Sequence, residues 1–140
     1  MKKIEVVAAI IIHEEKILCV QRGAGKFDYI SFKWEFPGGK IEEGESREET
    51  IKREIHEELE MQIVPRAEFI TVEHTYPDFH LIMHSYICHC ENNELTLKEH
   101  IEYKWLKPDE LLELDWAEAD IPIVNNYLNK LWYSKDFMNN

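Results

Sequence analysis

The 140-residue chain is short of positive charge: 16 Lys and Arg stand against 28 Asp and Glu, a net charge of -12. A surface of that sign repels DNA and RNA, which argues against a nucleic-acid polymer as partner. Cysteine is scarce too. Cys19, Cys88 and Cys90 include no C-x-x-C pair and are odd in number, so a zinc ribbon and a disulfide-stapled scaffold are both disfavoured. Reduced, buried thiols in the cytoplasm are expected instead. Long apolar runs are missing: Val6 to Ile12 is too short to cross a bilayer, and Glu5 interrupts the signal-like start of Met1-Lys2-Lys3, so no membrane partner is expected. No repeats, linkers or low-complexity segments appear. With 44% hydrophobic and 11% aromatic residues, the chain suits a single domain over residues 1–140.

What the chain does have is an acidic segment of unusual order, GGKIEEGESREETIKREIHEELEM, from Gly38 to Met61. Ser46 followed by Glu49 is a capping box, which predicts a helix from about Arg47 to Leu59. On that helix Ile51, Ile55 and Leu59 form an apolar stripe at i, i+4, i+8. Glu54, Glu57 and Glu58, at i, i+3 and i+4, crowd one patch about a quarter turn away. Like charges at those offsets oppose the helix, so a cation is expected there. A hard ion that takes carboxylate oxygens, keeps some waters and brings phosphate oxygens is Mg²⁺ or Mn²⁺. Ahead of the helix, Pro37-Gly38-Gly39 and Gly44 predict a loop in conformations that side chains forbid.

These residues resemble the Nudix box, G-x5-E-x7-R-E-U-x-E-E-x-G-U with U aliphatic. The match departs at Glu60, where the pattern has glycine, and Met61 stands in for the final aliphatic. Glycine there suits a left-handed helix exit, so Glu60 implies a strained or reshaped one. Flanking motifs resemble the MutT-type nucleoside triphosphate pyrophosphohydrolases: Gln21-Arg22, Glu35-Phe36-Pro37-Gly38-Gly39-Lys40, Tyr76-Pro77-Asp78-Phe79-His80, Trp105 and Ala119-Asp120-Ile121-Pro122. The resemblance covers nearly the whole chain and implies the α+β Nudix fold, a mixed sheet sandwiched between helices.

It also implies a set of roles. Glu54, Glu57 and Glu58 ligate the metal, Mg²⁺ or alternatively Mn²⁺, with the Gly39 carbonyl as a further ligand. Arg53 orients Glu54 and Glu45 braces the same network. Lys40 meets a phosphate oxygen. A general base is needed, and Glu54 and Glu99 are the two candidates, Glu99 also being a possible metal ligand. The implied reaction yields a nucleoside monophosphate and pyrophosphate from a small-molecule nucleotide, with the enzyme a monomer or a homodimer.

Base choice turns on Asp120. Cytidine-nucleotide members tend to have Asp there and guanine-sanitising members Asn; an ionised Asp only accepts and suits an exocyclic amine such as cytosine N4. CTP, dCTP or 5-substituted cytosine nucleotides are therefore the first expectation. A buried, protonated Asp120 donates instead, which keeps 8-oxo-dGTP as the alternative. Asp120 is equally a good N-cap for a helix opened by Pro122. Arg22 is a candidate for base or phosphate, while Trp34, Tyr76, Phe79 and Trp116 are candidates for base stacking. His74, His80 and His84 lack an acidic or cysteine ligand at a recognised zinc spacing. Two other classes remain in view: a nucleotide-sensing Nudix module without hydrolysis, which would be expected to lose box carboxylates, and an acidic metal-storage or interaction domain.

For the rest of the chain, β-branched runs predict strands at Val6–Ile12, Lys16–Gln21, Ala67–His74, His80–Cys90 and Tyr103–Leu106. Pro108 opens a short helix with Leu111 and Leu112 facing in. A last helix is expected over about Pro122 to Trp132, with Ile123, Tyr127 and Leu131 on one side.

Overall fold

A computed structural model describes residues 1–138, with side chains described through Lys130. Its element order is β1 (Lys2–His13), β2 (Lys16–Gln21), β3 (Trp34–Glu35), β4 (Gly38–Lys40), α1 (Arg47–Leu59), β5 (Ile63–Thr75), β6 (Phe79–Cys90), β7 (Glu102–Leu106) and α2 (Ile121–Met138). Two short 3₁₀ helices, Pro108–Glu113 and Glu118–Asp120, lie between β7 and α2. The strands form one mixed sheet in the order β3-β2-β1-β6-β5, with β4 paired to β1 and β7 to β2. β1 runs parallel to β6 from Lys2↔Phe79 to Ile12↔His89, whereas β5 and β6 are antiparallel.

β1 is apolar on both faces because both faces are covered. Val7, Ala9 and Ile11 pack with Ile51, Ile55 and Leu59 of α1, while Ala8 and Ile10 pack with Trp116, Ile123 and Val124 on the side of α2. The α1 stripe is fully buried, and at roughly 1.5–3 kcal/mol for each large apolar side chain it fixes the rotation of the helix. With the stripe facing the sheet, the acidic patch must look sideways along it.

Several expectations change. β1 and α2 extend beyond the predicted spans, and the inward position expected of Leu131 lies outside the described side chains. Leu111 is buried but Leu112 is exposed. The segment winds as a 3₁₀ helix with three residues per turn, so neighbouring leucines point about 120° apart. The predicted glycine loop holds at Gly44, which sits in a turn at φ 85°, but Gly38–Lys40 forms a short strand paired with β1 through Val7↔Gly39 and Ala8↔Gly38, and Trp34–Glu35 ahead of it pairs with β2. Gly38 is required by proximity, since a Cβ there would overlap the Val7 carbonyl. No helix among the described residues is long and apolar enough to cross a membrane.

Candidate active site

Helix α1 starts as its cap dictates. The Glu49 N–H donates to Ser46 Oγ at 3.1 Å, and the Ser46 N–H donates to Glu49 Oε1 at 3.0 Å. The helix ends with Glu60 in the left-handed region at φ 54° and ψ 34°, its N–H donating to the His56 carbonyl. Glu60 thus makes the turn that glycine makes more cheaply. Its carboxylate also pairs with Lys98 Nζ at 2.9 Å.

About two turns before that exit, Arg53 is the hub of the site. Its Nε and Nη2 grip the two oxygens of Glu45 at 2.7 and 2.9 Å, and Nη1 reaches Glu54 Oε1 at 3.1 Å and Glu57 Oε2 at 3.2 Å. Nη2 also donates to the Lys40 carbonyl at 3.3 Å, tying β4 to the helix. The Arg53 fork lowers the Glu45 carboxyl to about 2. Glu45 also accepts from Thr50 Oγ1 and from the Glu42 N–H, so its orientation is fixed from three sides.

The acidic patch divides between two surroundings. Glu57 is half exposed and turned to Arg53. Glu54 and Glu58 enter the cavity, where Glu99 joins them. Burial raises the Glu54 carboxyl even though Arg53 opposes the shift. Glu58 is 5% exposed, and burial followed by the charges of Glu99, Glu54 and Glu35 pushes it up to about 9. Glu58 Oε2 is buried with no hydrogen-bond partner. An orphaned carboxylate oxygen costs several kcal/mol unless a proton or a cation meets it, and the donor set is all oxygen, so the residues fit a hard divalent ion. Gly39 faces the same point, where any Cβ would overlap the Glu54 carboxylate. Among the described residues the side chains are not drawn into one three-ligand cluster: Glu57 stands apart on Arg53.

From this face a cavity of about 710 Å³ runs to Asp120, passing Lys40, Arg22 and Glu35. Its far wall is apolar, built from Ile4, Val6, Tyr76, Phe79, Leu81 and Met83, and Phe27 and Ile30 close it from the β2–β3 loop. Asp120 is 5% exposed. Its Oδ1 accepts the Phe36 N–H at 3.0 Å, so this carboxyl ties down the link between β3 and β4 rather than the start of α2. Burial, then the charge of Glu35, holds Asp120 well above the usual carboxylate range. Tyr76 accepts the Ala119 N–H on its hydroxyl at 3.0 Å, bracing the same turn.

Trp34 does not come to the cavity. It is buried in the core beside Trp116, with Lys104 Nζ 5.5 Å from its ring centroid. Trp116 stacks on Phe36 and donates its indole N–H to the Leu111 carbonyl at 2.7 Å. His74, His80 and His84 pair separately with Glu118, Glu73 and Glu5. Sequence reasoning did not assign Glu35 or His100. Glu35 accepts from Arg22 Nη1 at 3.3 Å on Oε1 and from His100 Nε2 at 3.0 Å on Oε2. His100 Nδ1 is buried without a partner, an omission worth about 1–3 kcal/mol against the fold. The available signal was the placement of Glu35 in the Glu35–Lys40 motif and of His100 beside Glu99.

Mixed sheet, capped acidic helix and ligand-sized cavity define an α+β class of protein that presents carboxylates to a bound molecule. Residues 2–127 match the NUDIX domain, and the chain belongs to that family. It is 38% identical over 130 residues to the CTP pyrophosphohydrolase of Escherichia coli K12, covering 91% of this chain and 93% of that protein. To the 8-oxo-dGTP diphosphatase of Proteus vulgaris it is 32% identical over 98 residues, 70% of this chain and 87% of that one. The solution structure of a MutT protein of the Nudix hydrolase family from methicillin-resistant Staphylococcus aureus 252 is similar with a TM-score of 0.74 and 40% identity, covering 93% of this chain and 99% of that one.

Proposed function

We propose that the chain works as one Nudix domain that hydrolyses nucleoside triphosphates to monophosphate and pyrophosphate, with cytosine nucleotides as its substrates. The observation that carries this reading is the cavity itself, which has an acidic face with an orphaned Glu58 oxygen at one end and Asp120 at the other. A triphosphate bound lengthwise puts its tail on the first and its base on the second. Glu54, Glu58 and the Gly39 carbonyl, with Glu57 once it leaves Arg53, would hold Mg²⁺, or Mn²⁺ in its place. Such an ion would offset the charge of the phosphate tail and acidify a bound water.

The protein's own groups do the rest. Arg53 holds Glu54 by its Oε1, which fixes a carboxylate that lines the cavity, and Glu45 keeps Arg53 in place. Glu54 or Glu99 takes the proton of the attacking water. Lys40, exposed on the rim, meets a phosphate oxygen. Tyr76 and Phe79 flank the base, while Asp120 and the neighbouring backbone read its edge. The similarity to a CTP pyrophosphohydrolase supports cytosine.

A second reading, 8-oxo-dGTP, is supported by the raised Asp120 carboxyl, because a neutral acid donates to a carbonyl such as guanine O6. Nucleotide substrates and reduced thiols fit a cytoplasmic setting. The test is a panel of CTP, dCTP, 5-methyl-dCTP, 8-oxo-dGTP and ordinary nucleotides with product analysis. Release of orthophosphate alone would overturn the reaction. Glu57→Gln is expected to lower turnover by about 10²-fold or more with the fold intact; an active variant removes Glu57 from the ion site.

A further inference from the structure

Glu99 reaches the cavity from the irregular stretch between β6 and β7. It is exposed, so packing does not hold it. Its charge opposes that of Glu54, and like charges in a shared site drive the mobile member outward; the proton held on Glu58 offers it a hydrogen bond but does not fix the stretch that carries it. Something must keep it in. The stretch is pinned before Glu99 by the Thr96 N–H on the Leu59 carbonyl at 2.9 Å and the Lys98 N–H on the Glu58 carbonyl at 3.0 Å. After it, the Ile101 N–H donates to the Gln21 carbonyl at 3.0 Å.

The residue directly following Glu99 turns inward. The His100 side chain is 5% exposed, and its Nε2 donates to Glu35 Oε2 at 3.0 Å. Glu35 belongs to β3, which is paired to β2 through Val20↔Glu35, and its other oxygen is held by Arg22. One imidazole therefore joins the Glu99 stretch to β3, which also lines the cavity. That contact is kept although it leaves Nδ1 buried without a partner.

We propose that His100 is a positioning residue, whose bond to Glu35 sets where the Glu99 carboxylate stands before any ligand arrives. His100 matters for turnover only if the hydrolase reading holds; its grip on the stretch does not depend on that reading.

The test uses the full chain, ion-free, with His100→Ala and His100→Gln, the latter retaining an N–H for Glu35. Hydrogen–deuterium exchange is read first. His100→Ala should speed exchange of the Lys98 and Ile101 amides by about tenfold and leave α1 and β1 unchanged. His100→Gln should restore most of the protection. Unchanged exchange, or a rise spread over the whole sheet, would overturn the assignment.

Kinetics with dCTP come second. His100→Ala is expected to lower kcat by about 10- to 100-fold with KM within about twofold, and to do nothing further in a Glu99→Gln background. Additive losses would mean that His100 does not act through Glu99. A KM effect with kcat intact would make it a substrate contact instead. If the wild-type chain hydrolyses no nucleoside triphosphate, the hydrolase reading falls and the exchange result alone decides the role of His100.

Discussion

Arg53 holds Glu45 by a two-pronged ion pair, Nε to Oε2 at 2.7 Å and Nη2 to Oε1 at 2.9 Å, and spends its remaining nitrogen on Glu54 and Glu57. A planar fork grips Glu45 with two nitrogens and keeps a third for Glu54 and Glu57; an ammonium, with one nitrogen, cannot make the two-pronged grip. Arg53→Lys is therefore expected to lower kcat on the order of 100-fold by releasing Glu54. Stability should fall by only about 1 kcal/mol, because Arg53 is partly solvated. Turnover and thermal melts on the same preparation check both, and a large melt shift with little loss of rate would make the hub structural.

Glu58 gives a pH dependence of definite sign. Its carboxyl is raised from 4.5 to about 9 by burial and then by neighbouring charge. Below the ordinary value both folded and unfolded chains hold the proton. Above it the unfolded chain releases a proton that the fold retains, so stability falls as pH rises toward 9. The ion-free protein is expected to melt at lower temperature at pH 8.5 than at pH 6, and Glu58→Gln should flatten that slope. Melts in chelator across this range check it; parallel slopes for the two proteins would show that Glu58 is not the group responsible.

Glu60 sits at φ 54° and ψ 34°, a conformation that an L side chain enters at a penalty. Its pair with Lys98 is half exposed on both sides and contributes little. Glu60→Gly should thus stabilise the chain by about 0.5–1 kcal/mol. Thermal denaturation decides, and a lower melting temperature would mean that the Lys98 contact outweighs the backbone gain.

Asp120→Asn keeps an oxygen for the Phe36 N–H, so the fold should tolerate it. The ratio of kcat/KM for dCTP over 8-oxo-dGTP is expected to drop by about tenfold, since the amide always has a donor to offer. An unchanged ratio would leave Asp120 a brace for the Phe36 backbone.

Helix α1 was legible in the sequence because cap, stripe and charge all repeat at helical spacing within one short segment, and β2 because its β-branched run is bounded by turn residues. Strands β3 and β4 were not. At two and three residues they have no periodicity of their own and exist only because β2 and β1 lie alongside. The acidic face of the site was equally plain, being local. Placing Trp34 needed tertiary knowledge: a tryptophan in a motif and a tryptophan in the core look alike until Trp116 is seen beside it. The bond between His100 and Glu35 joins residues 65 apart. Neither side chain announces the other, and only the sheet order brings them together.

The parallel ladder between β1 and β6 has a consequence for assembly. Parallel neighbours require a long crossover, and here more than half of the residues that line the cavity lie within it. During synthesis the apolar ribbon from Val6 to Ile12 must wait for Met83 to His89 to emerge before both of its edges are satisfied. Folding should accordingly be slow for a chain of this length, as non-local pairing dictates. Lys2, Lys3 and Glu5, charged and at the head of that ribbon, are the residues placed to keep nascent copies from sticking to one another in the interval.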